Sequence, residues 1–411
     1  MARRHRVPAD ETPLGDGEEV TVLTDTASLA EFCIRLAGSS YVTVDTEFMR
    51  ETTYWSKLCL IQLANTEHAA VIDPLAPDLD LAPFHDLLAS PETVKVFHSA
   101  RQDIEIFFHL TGEVPAPLFD TQVAAMVCGF GDSVSYENLV AKLGNAKIDK
   151  GQRFTDWERR PLTAKQLHYA LADVLHLRPV YEALTERLDE SGRAAWVAEE
   201  MAVLTNPATY RLDPDSAWQR LKVRNPKRRT LAVLHEAAAW REREAQRLNV
   251  PRRRILRDEA LHEIAVQAPR SREELSAIRG MSRGIAESAR GDDLINSVAR
   301  ALGRPDDELP HLPPRRQLPG NIGPLVELLK VLLKARCEAH GVAQKLIASV
   351  DNLEEIAGHG EDAPVLALHG WRYDVFGRDA LALRAGDLAL TVEDNRIAAI
   401  ERSAIARPQD S

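Results

Sequence analysis

The run Tyr41-Val-Thr-Val-Asp45-Thr-Glu47 is β-prone and ends in two acids. Side chains alternate along a strand, so Asp45 and Glu47 face the same way. Neighbouring carboxylates repel unless a cation lies between them, and hard divalent ions such as Mg²⁺ take oxygen ligands. The plainer reading is a strand end that runs into a solvated loop. Asp103 lies at the start of a helix, behind the β-prone Thr93–Phe97 and its tail His98-Ser-Ala-Arg-Gln. An acid there also suits the helix macrodipole without any further role. Tyr169 and Asp173 are four residues apart on a longer helix, which puts a phenol and a carboxylate on one face. A half-buried core tyrosine is the plainer account of Tyr169. Taken together, Asp45, Glu47, Asp103 and Asp173 are enough carboxylates to hold two divalent ions about 3.5–4 Å apart and clamp the attacking and leaving oxygens of a phosphodiester. Tyr169 would then position or help deprotonate the attacking water.

The elements that must position these groups form a mixed α/β pattern. Val20–Leu23, Tyr41–Asp45, Leu58–Ala64, Ala69–Ile72 and Thr93–Phe97 are short β-prone runs. Ser28 with Glu31 reads as a capping box, and so does Thr163 with Gln166, which opens a helix toward Leu188. Arg101–Leu110, Thr121–Cys128 and Tyr136–Leu143 read as helices between them. Past about residue 205 the strand signals fade. Arg229–Leu248, Asp258–Val266, Ser271–Ile278 (opened by a Ser271/Glu274 box) and Ile285–Leu302 read as amphipathic helices. A proline-rich stretch from Arg304 to Pro324 separates them from a second helical set. That set starts at Leu325, includes Val342–Ala348 and Leu353–Ala357, and ends in a β-like pattern around Leu388–Val392.

The acids and the tyrosine resemble the DEDD exonuclease superfamily in its tyrosine-bearing branch, and more narrowly the bacterial ribonuclease D family. The resemblance rests on Val44-Asp45-Thr46-Glu47-Phe48-Met49-Arg50, Leu60-Ile61-Gln62-Leu63, His98-Ser-Ala-Arg-Gln-Asp103-Ile-Glu-Ile-Phe107 and Phe119-Asp120-Thr121-Gln122. It continues through Thr155-Asp156-Trp157 and Arg160-Pro161-Leu162 to Gln166-Leu-His-Tyr169-Ala-Leu-Ala-Asp173. The resemblance implies an α/β RNase H-like exonuclease domain, a mixed sheet flanked by helices, and two Mg²⁺ or Mn²⁺ ions as cofactors. Asp45 would bridge both metals, Glu47 and Asp173 would hold the one that activates water, and Asp103 would serve the second. Gln62, His98 and Met49 are substrate-contact candidates, with core packing an equal account of Met49. Asp120 is expected to cap the helix at Thr121. His168 stands five residues before Asp173, the spacing of a catalytic histidine in the sister branch. Positions four apart on a helix differ by about 40° in facing and positions five apart by about 140°, which favours Tyr169.

The chain has 411 residues and a net charge of −11. The stretch Arg220–Arg257 holds thirteen Lys or Arg against three acids, a local charge of +10 that leaves −21 for the rest. A basic solvated helix face is the plain reading and an anion-binding surface the sharper one. Around 225–303, Leu231–Arg247, Pro251-Arg-Arg-Arg-Ile-Leu-Arg-Asp258, Leu275 and Ile278-Arg-Gly-Met281 resemble the helicase and RNase D C-terminal (HRDC) domain, a nucleic-acid-binding helical bundle. The expected division is an exonuclease domain at 1–205, a connector at 206–224, an HRDC domain at 225–303, a linker at 304–321 and a divergent second HRDC-like domain at 322–411. Arg252, Arg253 and Arg254 are the candidate phosphate contacts, holding an RNA body while its 3′ end enters the acidic site.

Other chemistries find no support. Four scattered cysteines without a C-x-x-C pair argue against a thiolate zinc site and fit a reducing cytoplasm. No apolar run approaches a membrane span, and the first twenty residues carry no secretory pattern. His235-Glu236 and His262-Glu263 lack the second histidine of a zinc protease. No Walker A or dinucleotide fingerprint is present. The expectation is a cytoplasmic, monomeric, metal-dependent 3′→5′ exoribonuclease with no membrane partner. By resemblance its substrates are single-stranded 3′ tails of tRNA precursors and small structured RNAs, released as nucleoside 5′-monophosphates. A DNA exonuclease and a catalytically silent RNA-binding adaptor are the alternatives.

Overall fold

The computed structural model describes residues 20–148, 151–152, 155–223, 226–312 and 318–402. The first part of the chain builds a six-stranded mixed sheet from β1 (Val22–Leu23), β2 (Tyr41–Met49), β3 (Lys57–Ala64), β4 (Ala69–Ile72), β5 (Val94–Phe97) and β6 (Leu118–Asp120), in the order β1-β4-β3-β2-β5-β6. β3 is antiparallel to both β2 and β4, whereas β5 runs parallel to β2 and β6. β3 is almost continuously buried, as a strand covered on both faces must be. Helices α1 (Thr26–Leu36), α2 (Ala82–Ala89), α3 (Arg101–Thr111), α4 (Thr121–Val127), α5 (Tyr136–Leu139), α6 (Ala164–Ser191) and α7 (Ala194–Leu204) surround it. This is the mixed sheet flanked by helices that the motifs imply.

Local differences have local causes. β2 runs on past Asp45 to Met49, so both acids are within the strand, and a register shift falls between Glu47 and Phe48. The strand β6 escapes a periodicity reading because three residues are too few to show one. The cap of α1 is Asp25, which accepts from the Ser28 amide; a carboxylate three residues upstream outcompetes the expected Ser28 box. Thr163 and Gln166 do form the reciprocal box that opens α6.

The helical remainder has two cores. One gathers α8 (Arg228–Leu248), α9 (Arg252–Ile255), α10 (Asp258–Gln267), α11 (Arg272–Ala277), α12 (Arg283–Ala286) and α13 (Ala289–Gly303). Ser282 caps α12 and Ser288 precedes α13, which splits the single helix expected over 285–302. Ala217 and Leu221 upstream, and Leu309 downstream, pack into this core. The other core is built by α14 (Gly323–His340), α15 (Gln344–Ile347), α16 (Val350–His359), α17 (Gly370–Arg372) and α18 (Arg378–Ala385). A hairpin of β7 (Leu388–Glu393) and β8 (Arg396–Glu401) follows, turned by Asp394 and Asn395, both at positive φ. Of the proline-rich stretch, Pro313 and Pro314 lie outside the described residues, as does Arg224 of the basic stretch.

Both helical units touch the sheet domain. Arg193 donates to the carbonyls of His340 (2.6 Å) and Gly341 (3.2 Å), and the rings of Trp196 and Trp371 stack 4.2 Å apart. On the other side, the Asn249 side chain accepts from the amides of Tyr54 and Trp55 in the β2–β3 connection.

Candidate active site

Three acids converge. Carboxylate oxygens of Asp45, Glu47 and Asp173 lie within 4.8 Å of one another. β2 supplies the first two at alternate positions. Asp173 comes from α6, which is tied down beside it: Thr43 on β2 donates to the Val174 carbonyl at 2.9 Å, and Tyr136 donates its hydroxyl to the Asp173 carbonyl. A cavity of about 360 Å³ opens over the group, and Asp45, Asp173, Tyr169, Tyr136, His98 and Gln122 are among its lining residues.

The electrostatics follow from this crowding. Burial, and next the neighbouring Asp173, push Asp45 well above the usual carboxylate range. Burial and the nearby Asp45 do the same to Asp103, opposed by the hydrogen bond from Thr46. The Tyr136 phenol is driven up by burial, then by Asp173 and Asp45, so it stays a donor. His98 is pushed down by burial, against the pull of Asp120, and its Nδ1 lies 3.0 Å from the Thr121 hydroxyl.

Asp103 is not one of the three mutually close acids, but it lies near enough to Asp45 to feel its charge. It is buried in the first turn of α3, where its carboxylate accepts the Thr46 hydroxyl. The loop before α3 is held by Asp120, which accepts from the amides of Ser99 (3.0 Å) and Ala100 (2.8 Å) as well as from Gln122 at the start of α4. The capping role expected of Asp120 at α4 is therefore real, and the same carboxylate also holds the loop that leads into α3.

The other candidates divide. Tyr169 lines the cavity one turn from Asp173, with the Trp157 ring 6.1 Å from its own. Trp157 is fixed in turn: Arg160 donates to its carbonyl at 2.7 Å, to both Asp73 oxygens and to the Cys59 carbonyl. His168 is not among the cavity-lining residues. Met49 is half-buried and packs on the cluster that holds Trp157 and Ala170. Gln62 pairs with Asp45 across the β2–β3 ladder but is fully buried, and its amide finds no partner among the described residues. The Gln62 contact expected from the motif thus has no exposed side-chain atom in this structure.

Arg252 is already engaged within the protein. It forms a two-pronged pair with Glu242 at 2.6 Å, stacks over the Tyr54 ring at 4.6 Å and donates to the Tyr54 hydroxyl. Its charge is spent on the joint between domains. Arg253 and Arg254 remain exposed. Tyr136 and Gln122 are cavity residues that spacing did not single out: neither stands at a helical or strand interval from an acid, although Gln122 falls within a recognised motif.

Comparison with known proteins decides the family. Residues 20–189 match the 3′-5′ exonuclease family model and residues 230–298 the HRDC domain. The ribonuclease D of Granulibacter bethesdensis is 54% identical, with the alignment covering 92% of this chain and 95% of that protein. The chain belongs to the ribonuclease D family. Ribonuclease D of Nitrobacter hamburgensis is 51% identical over 93% of this chain and the whole of its own length. The crystal structure of Escherichia coli RNase D, described as an exoribonuclease involved in structured RNA processing, superposes with a TM-score of 0.77 at 29% identity, covering 90% of this chain and 99% of that one. A protein from Bifidobacterium adolescentis shares the fold, with a TM-score of 0.64 at 18% identity, over 89% of this chain and 97% of that one. As a ribonuclease D family member the chain is a 3′-5′ exoribonuclease. No helix among the described residues is long and apolar enough to cross a membrane.

Proposed function

We propose that this ribonuclease D removes nucleotides one at a time from single-stranded 3′ tails of tRNA precursors and other small structured RNAs, releasing nucleoside 5′-monophosphates by a two-metal-ion mechanism. The observation that carries the reading is the meeting of Asp45, Glu47 and Asp173 within 4.8 Å beside Tyr169. Three close carboxylates are a hard oxygen donor set, which fits Mg²⁺ or Mn²⁺. Asp45, Glu47 and Asp173 would hold one ion, and Asp45 with Asp103 the other. When bound, the ions offset the phosphate charge and acidify the attacking water.

The chain's own groups do the rest. Tyr169 orients the attacking water, and Trp157 holds its ring in place. Tyr136 keeps its proton and fixes the backbone under Asp173. His98, neutral near pH 7 because burial lowers it, offers the terminal nucleotide a hydrogen-bonding edge without adding charge. A cavity of about 360 Å³ lies at the small end of ligand pockets, which suits one frayed terminal nucleotide and stalls at a duplex. The four acids come from one chain, so a monomer is complete. The site of action that suits such a protein is the cytoplasm.

The test is a 5′-labelled tRNA with a short 3′ extension beside a single-stranded DNA of equal length, each with Mg²⁺, Mn²⁺ or EDTA. A metal-dependent ladder that shortens the RNA tail and stops near the tRNA body is the expected result. A ladder on DNA alone would move the activity to DNA, and tight binding without any ladder would make the chain an adaptor.

A further inference from the structure

A second cleft, of about 670 Å³, lies where the sheet domain meets the first helical unit. Arg50, Thr53 and Tyr54 from the β2–β3 connection form one wall, and Arg220, Arg253 and Arg257 stand on the other. Part of its positive charge is spent. Arg220 and Arg252 pair with Glu242, and Arg241 pairs with Asp258. Arg50, Arg253 and Arg257 are different: all three are exposed, and none makes an ion pair or a side-chain hydrogen bond among the described residues.

The exposed Glu259 also lines the cleft, yet three unpaired guanidinium groups on two domains outnumber it; they repel one another, and a bound anion offsets that cost. Arginine forks suit phosphate oxygens in particular. The cleft offers charge but little stacking surface, because Tyr54 is the one aromatic side chain among its lining residues and Arg252 covers its ring at 4.6 Å. Such a surface holds backbone and does not read bases. Its position is also telling. Arg50 follows Glu47 by three residues along β2 and just beyond, a span of about 10 Å in extended chain. The joint through Tyr54, Glu242, Arg252 and Asn249 fixes the two walls relative to each other.

We propose that this cleft is a phosphate clamp for the RNA chain on the 5′ side of the nucleotide in the acidic site, with Arg50 on one wall and Arg253 and Arg257 on the other. It rests on the exoribonuclease reading above and moves the anchoring set away from Arg252 and Arg254. Ordering of the substrate then depends on both domains at once, since neither wall alone holds more than two of the three free charges.

The experiment measures binding of single-stranded oligoribonucleotides of increasing length to the full chain in EDTA, across a salt series. Wild type is compared with Arg50→Gln/Arg253→Gln/Arg257→Gln and with Arg283→Gln, an exposed arginine away from the cleft. Each lost phosphate contact lowers the slope of log affinity against log salt by about 0.7 on a single strand, so the triple variant should lose about 2 in slope. Affinity for the longer RNAs should fall more than about 10-fold, with a deficit that shrinks for a dinucleotide. A slope equal to wild type overturns the clamp, as does an equal deficit at every length or an equal loss in Arg283→Gln. Absence of cleavage by wild type in Mg²⁺ would sink the exoribonuclease reading instead. The two failures are thus separately visible.

Discussion

Thr46 donates its hydroxyl to the Asp103 carboxylate, which joins the strand of Asp45 and Glu47 to helix α3. Alternation along β2 explains the geometry. Thr43 and Asp45 face α6, while Val42 and Val44 pack in the core with Ile104 and Phe107 of α3. Thr46 shares that second face, so Asp103 reaches the site from the opposite side of the strand to Asp173.

Thr46→Val keeps the shape and removes the donor. Asp103 then loses a partner in a buried place, and we expect an outer-shell loss of about 10–100-fold in RNA cleavage. Stability should fall by about 1–3 kcal/mol. Single-turnover cleavage with Mg²⁺ and a denaturant titration check both, and wild-type cleavage would show that Asp103 needs no help from Thr46.

Asp45→Asn should abolish cleavage and yet stabilise the metal-free protein. The folded-state pKa of Asp45 is raised above its unfolded value of about 3.9. The folded state therefore binds more protons between the two values, and stability rises as pH falls through the folded pKa. The penalty is fully present above that point and absent below the unfolded one. Melting in EDTA should place the variant above wild type at neutral pH, with the gap closing on acidification. Mg²⁺ should invert the order by binding wild type preferentially. A gap that widened toward acid would refute the account.

Tyr169→Phe keeps the ring against Trp157 and deletes the hydroxyl. If the phenol orients the attacking water, kcat falls by about 100-fold or more, while KM for tailed RNA and the melting temperature change little. A rise in KM with kcat preserved would make Tyr169 a binding residue only.

Arg252→Gln should act on stability before it acts on RNA. Glu242, almost fully buried, would keep Arg220 at 3.3 Å and the Tyr54 hydroxyl as its remaining partners. Arg252 is partly exposed, so the loss is discounted to about 1–2 kcal/mol. Calorimetry should show the first helical unit and the sheet domain melting less cooperatively. Wild-type melting combined with weak RNA binding would return Arg252 to the role first expected of it.

Several elements of this site are written in local sequence, because local rules suffice for them. Period-two alternation puts Asp45 and Glu47 on one face, the four-residue interval puts Tyr169 beside Asp173, and the Thr163/Gln166 box starts the helix that carries both. The motif order then identifies the family. Long-range contacts obey no such interval. Tyr136 reaches Asp173 across 37 residues, Thr46 reaches Asp103 across 57 and Tyr54 reaches Arg252 across 198. Nothing in a run of basic residues tells which guanidinium groups are neutralised. Only packing shows that Arg252 answers Glu242 and Tyr54, that Gln62 is fully buried within the sheet beside Asp45, and that Arg50 stands opposite Arg253 and Arg257. Burial and pairing are properties of neighbours in space, and a charge acquires its function from them.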